Sequence, residues 1–149
     1  MGLIYMSGKA HKLEKNIDKI KVISNKHKKE FEIELANLKI KMEDIITNIE
    51  FQEQDIEMLK QEKVNYEMAF KAKIMSISFS AKFLYKVEQV IKKIDSKIVN
   101  SQHKLNELQD RKNNLQCDID EVQQNIIKII FKLRKYDKLS EVTQSSDFM

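Results

Sequence analysis

Apolar residues recur at alternating steps of three and four along two stretches of the chain, residues 38–70 and 98–136. This is the heptad spacing of a coiled coil, in which positions a and d of two helices form a shared seam. Eight of ten seam positions in the first stretch are apolar or aromatic, and ten of twelve in the second. The pattern predicts an all-α fold, a long antiparallel two-helix coiled-coil hairpin.

The predicted hairpin occupies residues 1–149 as a single domain. We expect helix 1 at about 9–73, a loop at about 74–79, helix 2 at about 80–136 and a polar tail at 140–149. Serines and β-branched residues at 76–80 interrupt both seams, and a serine there can cap the second helix. One continuous helix in a parallel dimer is the alternative. The near-equal arms on either side of residue 77 favour the hairpin.

Composition restricts the chemistry that such a chain can perform. There is no proline, both glycines lie in the first eight residues, and 34% of the residues are charged. A phosphate-binding glycine loop is therefore excluded, and a two-helix seam encloses no pocket of catalytic size. His11 and His103 have no partners at metal-binding spacing. We expect no enzyme activity, no cofactor and no metal site.

The single Cys117 is expected to be a free thiol, as in a reducing compartment. No apolar run approaches the length of a membrane span. These features predict a soluble, cytoplasmic protein without direct membrane insertion.

Charge is banded along the sequence. Residues 9–29 carry eight lysines against two acids, residues 30–62 carry ten acids against three lysines, and residues 128–138 carry five basic residues against one acid. A hairpin therefore becomes basic where its two ends meet, which favours an acidic partner there. Nucleic acid is a weaker alternative, because there are two arginines in all and the basic stretches lack interleaved aromatic residues. We expect no nucleic-acid partner.

Residues 126–133 depart from the seam pattern. Ile127, Ile130 and Phe131 fall at positions b, e and f, so apolar residues surround most of this part of the helix. Such a helix is normally buried. Either residues 3–6 fold back onto it or another protein encloses it. Further contacts are suggested by a second apolar stripe at Ile33, Ile40, Phe51 and Met58, and by aromatic residues near the loop.

The whole chain resembles, in pattern and charge, the central stalk proteins of type III secretion ATPases, the flagellar FliJ and injectisome YscO/InvI group (SctO family). The more specific likenesses are the segments 19–22 (KIKV), 63–67 (KVNYE) and 133–138 (LRKYDK). The resemblance implies that the paired termini enter the pore of a hexameric secretion ATPase. It also implies that the loop end reaches the cytosolic ring of the export gate, at the inner-membrane-associated secretion apparatus of a bacterium.

With these implied roles, we expect the ATPase-binding residues of the terminal end to be Lys9, Lys12, Lys15, Ile127, Ile130, Phe131, Arg134 and Lys135. We expect the gate-binding residues of the loop end to be Tyr66, Phe70, Phe79, Phe83 and Tyr85. Secretion chaperones are further candidate partners. A structural or tethering coiled coil without an ATPase partner is the alternative function.

Overall fold

The computed structural model describes the backbone of residues 2–74 and 81–147, and the side chains of residues 9, 11–73 and 81–144. Two α-helices account for all of this backbone: α1 spans Gly2–Ile74 and α2 spans Ala81–Asp147. Straight-chain residues with good helix propensity, such as lysine, glutamate, leucine and glutamine, dominate both sequences, and neither contains a proline. Nothing in either helix interior therefore forces a break.

The two helices pack against each other as an antiparallel hairpin, which confirms the predicted fold class. Pairs of contacting residues show the direction. Lys63 contacts Asp95, and Asp55, further back in α1, contacts Ser101, further along α2. The predicted loop at 74–79 lies outside the described residues, apart from the backbone of residue 74.

The core of the hairpin contains the predicted seam and extends beyond residues 38–70 and 98–136 to Ile17, Val87 and Ile94. Its buried apolar residues follow the heptad steps on both helices: Ile17, Met42, Ile49, Ile56, Val87, Ile94, Leu105, Leu115, Ile119 and Val122. Around Ile49, Ile56 and Leu105, the half-buried Ile45 and Leu108 complete one cluster. Burial of such side chains supplies most of the stability of a helix pair, because isolated helices are marginal in water.

Some predicted boundaries and seam positions are corrected by the structure. α2 continues to Asp147, so residues 140–147 of the expected polar tail are helical, and Ser140 and Thr143 are buried. The Thr143 hydroxyl donates a hydrogen bond to the backbone carbonyl of Leu139 at 2.7 Å, so this buried hydroxyl has a partner within its own helix. α1 begins at Gly2 rather than near residue 9. His27 follows the buried Ser24 by three residues, where continued heptad spacing predicts a seam position, yet it is exposed.

The packing divides into two units. The terminal unit comprises residues 1–40 and 116–149, and the loop unit comprises residues 41–115. Each unit contains a segment of α1 paired with a segment of α2. The expectation of a single domain stays a prediction.

Spin labels at Gln54 and His103, both exposed in the loop unit, test the antiparallel pairing. With Cys117 replaced by serine, we expect double electron–electron resonance to give about 20 Å between the two labels. This is the separation of the two helices plus the length of the label side chains. The distance should persist when labelled chain is diluted with unlabelled chain. Loss of the signal on dilution would instead establish a parallel dimer.

Ile56→Ala tests the seam energetics, because Ile56 is among the most buried side chains of the described residues. We expect unfolding to become easier by about 2–4 kcal/mol, from lost burial and the cavity left behind. Ile40→Ala is the matched control, since Ile40 is exposed on the same helix, and should change stability by about 0.5 kcal/mol or less. Urea unfolding followed by far-UV circular dichroism measures both; equal effects would contradict the assigned seam.

Candidate protein-binding surfaces

Polar residues inside the seam fix the register of the helices in the loop unit. The Ser101 hydroxyl donates to an Asp55 carboxylate oxygen at 2.9 Å, and the Lys63 ammonium lies 2.7 Å from Asp95. Heptad spacing predicts apolar residues at positions 63 and 101, so Lys63 and Ser101 are polar interruptions of the seam. A one-turn slip would separate both pairs, so these contacts favour one alignment.

The terminal unit has equivalent contacts between its helices. Lys21 lies 2.6 Å from Asp137, and the Gln144 amide donates to Glu14 at 3.1 Å. These two pairs show which residues of α1 and α2 lie at the same level. Every buried side-chain nitrogen and oxygen of the described residues has a hydrogen-bond partner.

The pKa of Lys63 is raised, mainly by its hydrogen bond to Asp95, with further attraction from the charges of Asp95 and Glu67; partial burial opposes the shift. Both side chains of the pair are partly exposed, so water screens the interaction. The pair contributes to folding while the lysine is charged.

An apolar and basic surface lies on α2 of the terminal unit, and we call it the terminal surface. Ile127 is 43% exposed and Phe131 is 61% exposed. The Arg134 guanidinium carbon lies 5.9 Å from the centre of the Phe131 ring, a cation–π contact. Four exposed cations lie within four residues of Phe131 along the same helix: Lys128, Lys132, Arg134 and Lys135. Ile130, by contrast, is half-buried beside the seam.

The structure separates two groups of residues that the sequence placed together. Lys9, Lys12 and Lys15 are exposed in the terminal unit. Because Lys21 pairs with Asp137, and the helices are antiparallel, Lys15 and Phe131 lie on opposite sides of that level. They are twelve residues apart along the axis, about 18 Å at 1.5 Å per residue. The three lysines are therefore not part of the terminal surface.

The backbone does not show residues 3–6 folding back onto the apolar part of α2. These residues belong to α1, which begins at Gly2 and continues without interruption. A segment inside this helix does not reverse direction to cover Phe131, and Phe131 remains mostly exposed. An exposed aromatic ring in cation–π contact with Arg134 is a candidate contact for another protein.

The aromatic residues expected at the loop end are only partly brought together. Phe70 and Phe83 pack with ring centres 5.9 Å apart, closing the hairpin next to the loop. Tyr66 is half-buried and Tyr85 is exposed. Phe79 lies outside the described residues. The Phe70–Phe83 pair therefore has a packing role between the helices, and contact with an export gate stays a prediction for all five residues.

Two open grooves lie in the loop unit. One of about 350 Å³ has exposed Phe51 beside Lys104 and Arg111. A larger one of about 760 Å³ follows α1 from Asp55 to Ala69. Phe51 and Met58 of the second apolar stripe are exposed, and their role as contacts stays a prediction; the larger groove was not predicted. The sequence does contain a sign of the larger groove, because the residues that line it recur at three- and four-residue steps on one helix face.

Some site types have no candidate in the part of the chain that the structure describes. No three His, Cys, Asp or Glu side chains there come together as they would around a metal ion. Neither helix, over the same residues, contains a stretch long and apolar enough to cross a membrane. Cys117 is a free, exposed thiol.

Comparisons with protein-family models, curated proteins and solved structures give no match to this chain. Function is therefore inferred from the surfaces described above.

The pKa shift of Lys63 predicts a pH dependence of stability. A raised pKa means that the Lys63–Asp95 contribution is fully present below the ordinary lysine value of 10.5 and is lost as pH rises through the higher folded value. We therefore expect the melting temperature of the wild type, relative to Lys63→Met, to fall as pH rises above 10.5. The comparison is repeated in an Asp95→Asn background, where this dependence should largely disappear. An unchanged dependence in that background would show that Asp95 is not its cause.

Proposed function

We propose that this chain is the central stalk of a type III secretion system, which binds a hexameric export ATPase through its terminal unit. The observation that carries the proposal is the terminal surface: exposed Ile127 and Phe131, with Arg134 over the Phe131 ring and three exposed lysines nearby in sequence, on an antiparallel helical hairpin. The stalk proteins that the sequence resembles are hairpins of this kind, and their paired termini are the part that enters the ATPase.

The chemistry of the terminal surface specifies the kind of partner. Transfer of the Phe131 ring from water into a protein interface is favourable by about 25 cal/mol per Å² of apolar area. The cations around it, including Arg134 and Lys135, require acidic or hydrogen-bonding groups at the rim of that interface. The partner is therefore apolar at its centre and acidic at its edge.

The basic residues of α1 supply a second level of contact. Lys9, Lys12 and Lys15 lie in the same unit, displaced along the helix axis from Phe131. In a pore that encloses the hairpin, these lysines meet a different ring of partner residues. Long-range attraction between a basic hairpin and an acidic pore also speeds association. Contact of the loop end with the export gate belongs to the same proposal.

Ile127→Asp with Phe131→Asp, made in the full chain, tests the proposal against the export ATPase of the same secretion system. Burying two unpaired charges costs several kcal/mol, so we expect binding to weaken at least about a hundredfold and stimulation of ATP turnover to be lost. Helicity should be retained, because both side chains point away from the seam.

The matched control is Ile46→Asp with Phe51→Asp in the loop unit, where the two side chains are 39% and 66% exposed. This control should bind and stimulate the ATPase like the wild type. If the terminal-surface variant also binds and stimulates normally, the terminal surface is not the ATPase contact. If the wild-type chain does not bind the ATPase at all, the stalk assignment is wrong, and the alternative of a tethering coiled coil replaces it.

A further inference from the structure

The larger groove of the loop unit is a surface that the hairpin does not fill. It has a volume of about 760 Å³, and its described lining belongs to one face of α1. The principal lining residues recur at three- and four-residue steps: Asp55, Met58, Leu59, Glu62, Tyr66 and Ala69. Between residues 55 and 69 this face extends about 21 Å along the helix. Its length matches that of a helix of about four turns lying alongside α1.

The floor of the groove is apolar. Leu59 and Tyr66 occupy seam positions but are only half-buried, and they also line the groove. Met58 is 72% exposed, and the flexible thioether side chain of methionine adapts readily to different apolar partners. An amphipathic helix in such a groove places its apolar residues against these three side chains.

The polar lining of the groove is acidic. Among the described residues that line it, Asp55 and Glu62 are carboxylates and none is a cation. The Asp55 carboxylate is oriented by the hydrogen bond from Ser101, so its position is set before a partner arrives. Residues 55–69, which span the groove, carry four carboxylates against two lysines in a chain of net charge +4. The groove therefore favours a basic ligand, although the chain as a whole is basic.

A second copy of the chain fits this face poorly. Most homodimers are symmetric and bring the same patch of both copies together. In that arrangement Asp55 and Glu62 of one copy meet the same carboxylates of the other, and like charges at an interface are unfavourable. A partner with lysines or arginines beside an apolar stripe has the complementary charge.

We propose that the groove along Asp55–Ala69 is a docking site for a basic amphipathic helix of another protein. The apolar stripe of that helix packs on Met58, Leu59 and Tyr66, and its cations pair with Asp55 and Glu62. The site lies in the loop unit and is independent of the proposed ATPase contact, which lies in the terminal unit.

The test uses the full chain and a fluorescent helical peptide of about 18 residues, with leucines on one face and lysines on its flanks. Binding is measured by fluorescence anisotropy at two salt concentrations. We expect Met58→Ser and Glu62→Lys each to weaken binding at least about tenfold, with a smaller salt dependence for Glu62→Lys. Both side chains are exposed, so helicity should be unchanged.

Two matched controls on α1 separate groove binding from general attraction to an acidic helix. Met68→Ser changes a methionine that is 64% exposed and does not belong to the described lining. Glu50→Lys makes the same charge change at an exposed position outside that lining. Both variants should bind the peptide within about twofold of the wild type.

Three results would overturn the proposal. The first is failure of the wild-type chain to bind the peptide, and the second is equal weakening by the groove variants and their controls. The third is a dimer of the wild-type chain, detected by sedimentation velocity, that Met58→Ser dissociates, because a second copy would then be the occupant. ATPase binding by the groove variants should stay at the wild-type level, so failure of this proposal and failure of the stalk assignment give different results.

Discussion

Burial of one narrow apolar seam between α1 and α2 is the constraint on which the described structure depends. Isolated helices have little stability in water, and the hairpin has no further layer among its described residues to support them. Residues such as Ile56 and Ile94 therefore supply apolar burial that the rest of the helix surface does not. Because the seam is narrow, the other faces of both helices stay open to solvent or to partners.

Polar contacts within the seam determine how the two helices align. An apolar seam alone tolerates shifts by a heptad, because every layer resembles the next. Ser101 reaches Asp55, and Lys63 reaches Asp95, in one alignment of the two helices only. Partly exposed pairs add little stability, so their contribution is specificity of register. The orientation of Asp55 in the acidic groove is a consequence of the same contact.

The two proposed binding surfaces differ in charge as well as in position. The terminal surface presents Phe131 among cations, whereas the groove presents Met58 among carboxylates. Each combines an apolar centre with charge of one sign, which favours partners of opposite chemistry. In these proposals the two surfaces recruit partners of opposite charge, one through the terminal unit and one through the loop unit.

The heptad spacing by itself determined the two helices and most of the core, because period and burial are linked in a coiled coil, but it left the hairpin and the parallel dimer both open. It also identified Ile127 and Phe131 as lying outside the seam. Tertiary structure decided features that depend on the opposite helix: the partners of Lys63 and Ser101, the burial of Ser140 and Thr143, and the partial cover of Ile130. It also separated Lys15 from Phe131 by fixing the level at which Lys21 meets Asp137. Sequence spacing gives the face on which a residue lies, but only the packed register gives its neighbours across the seam.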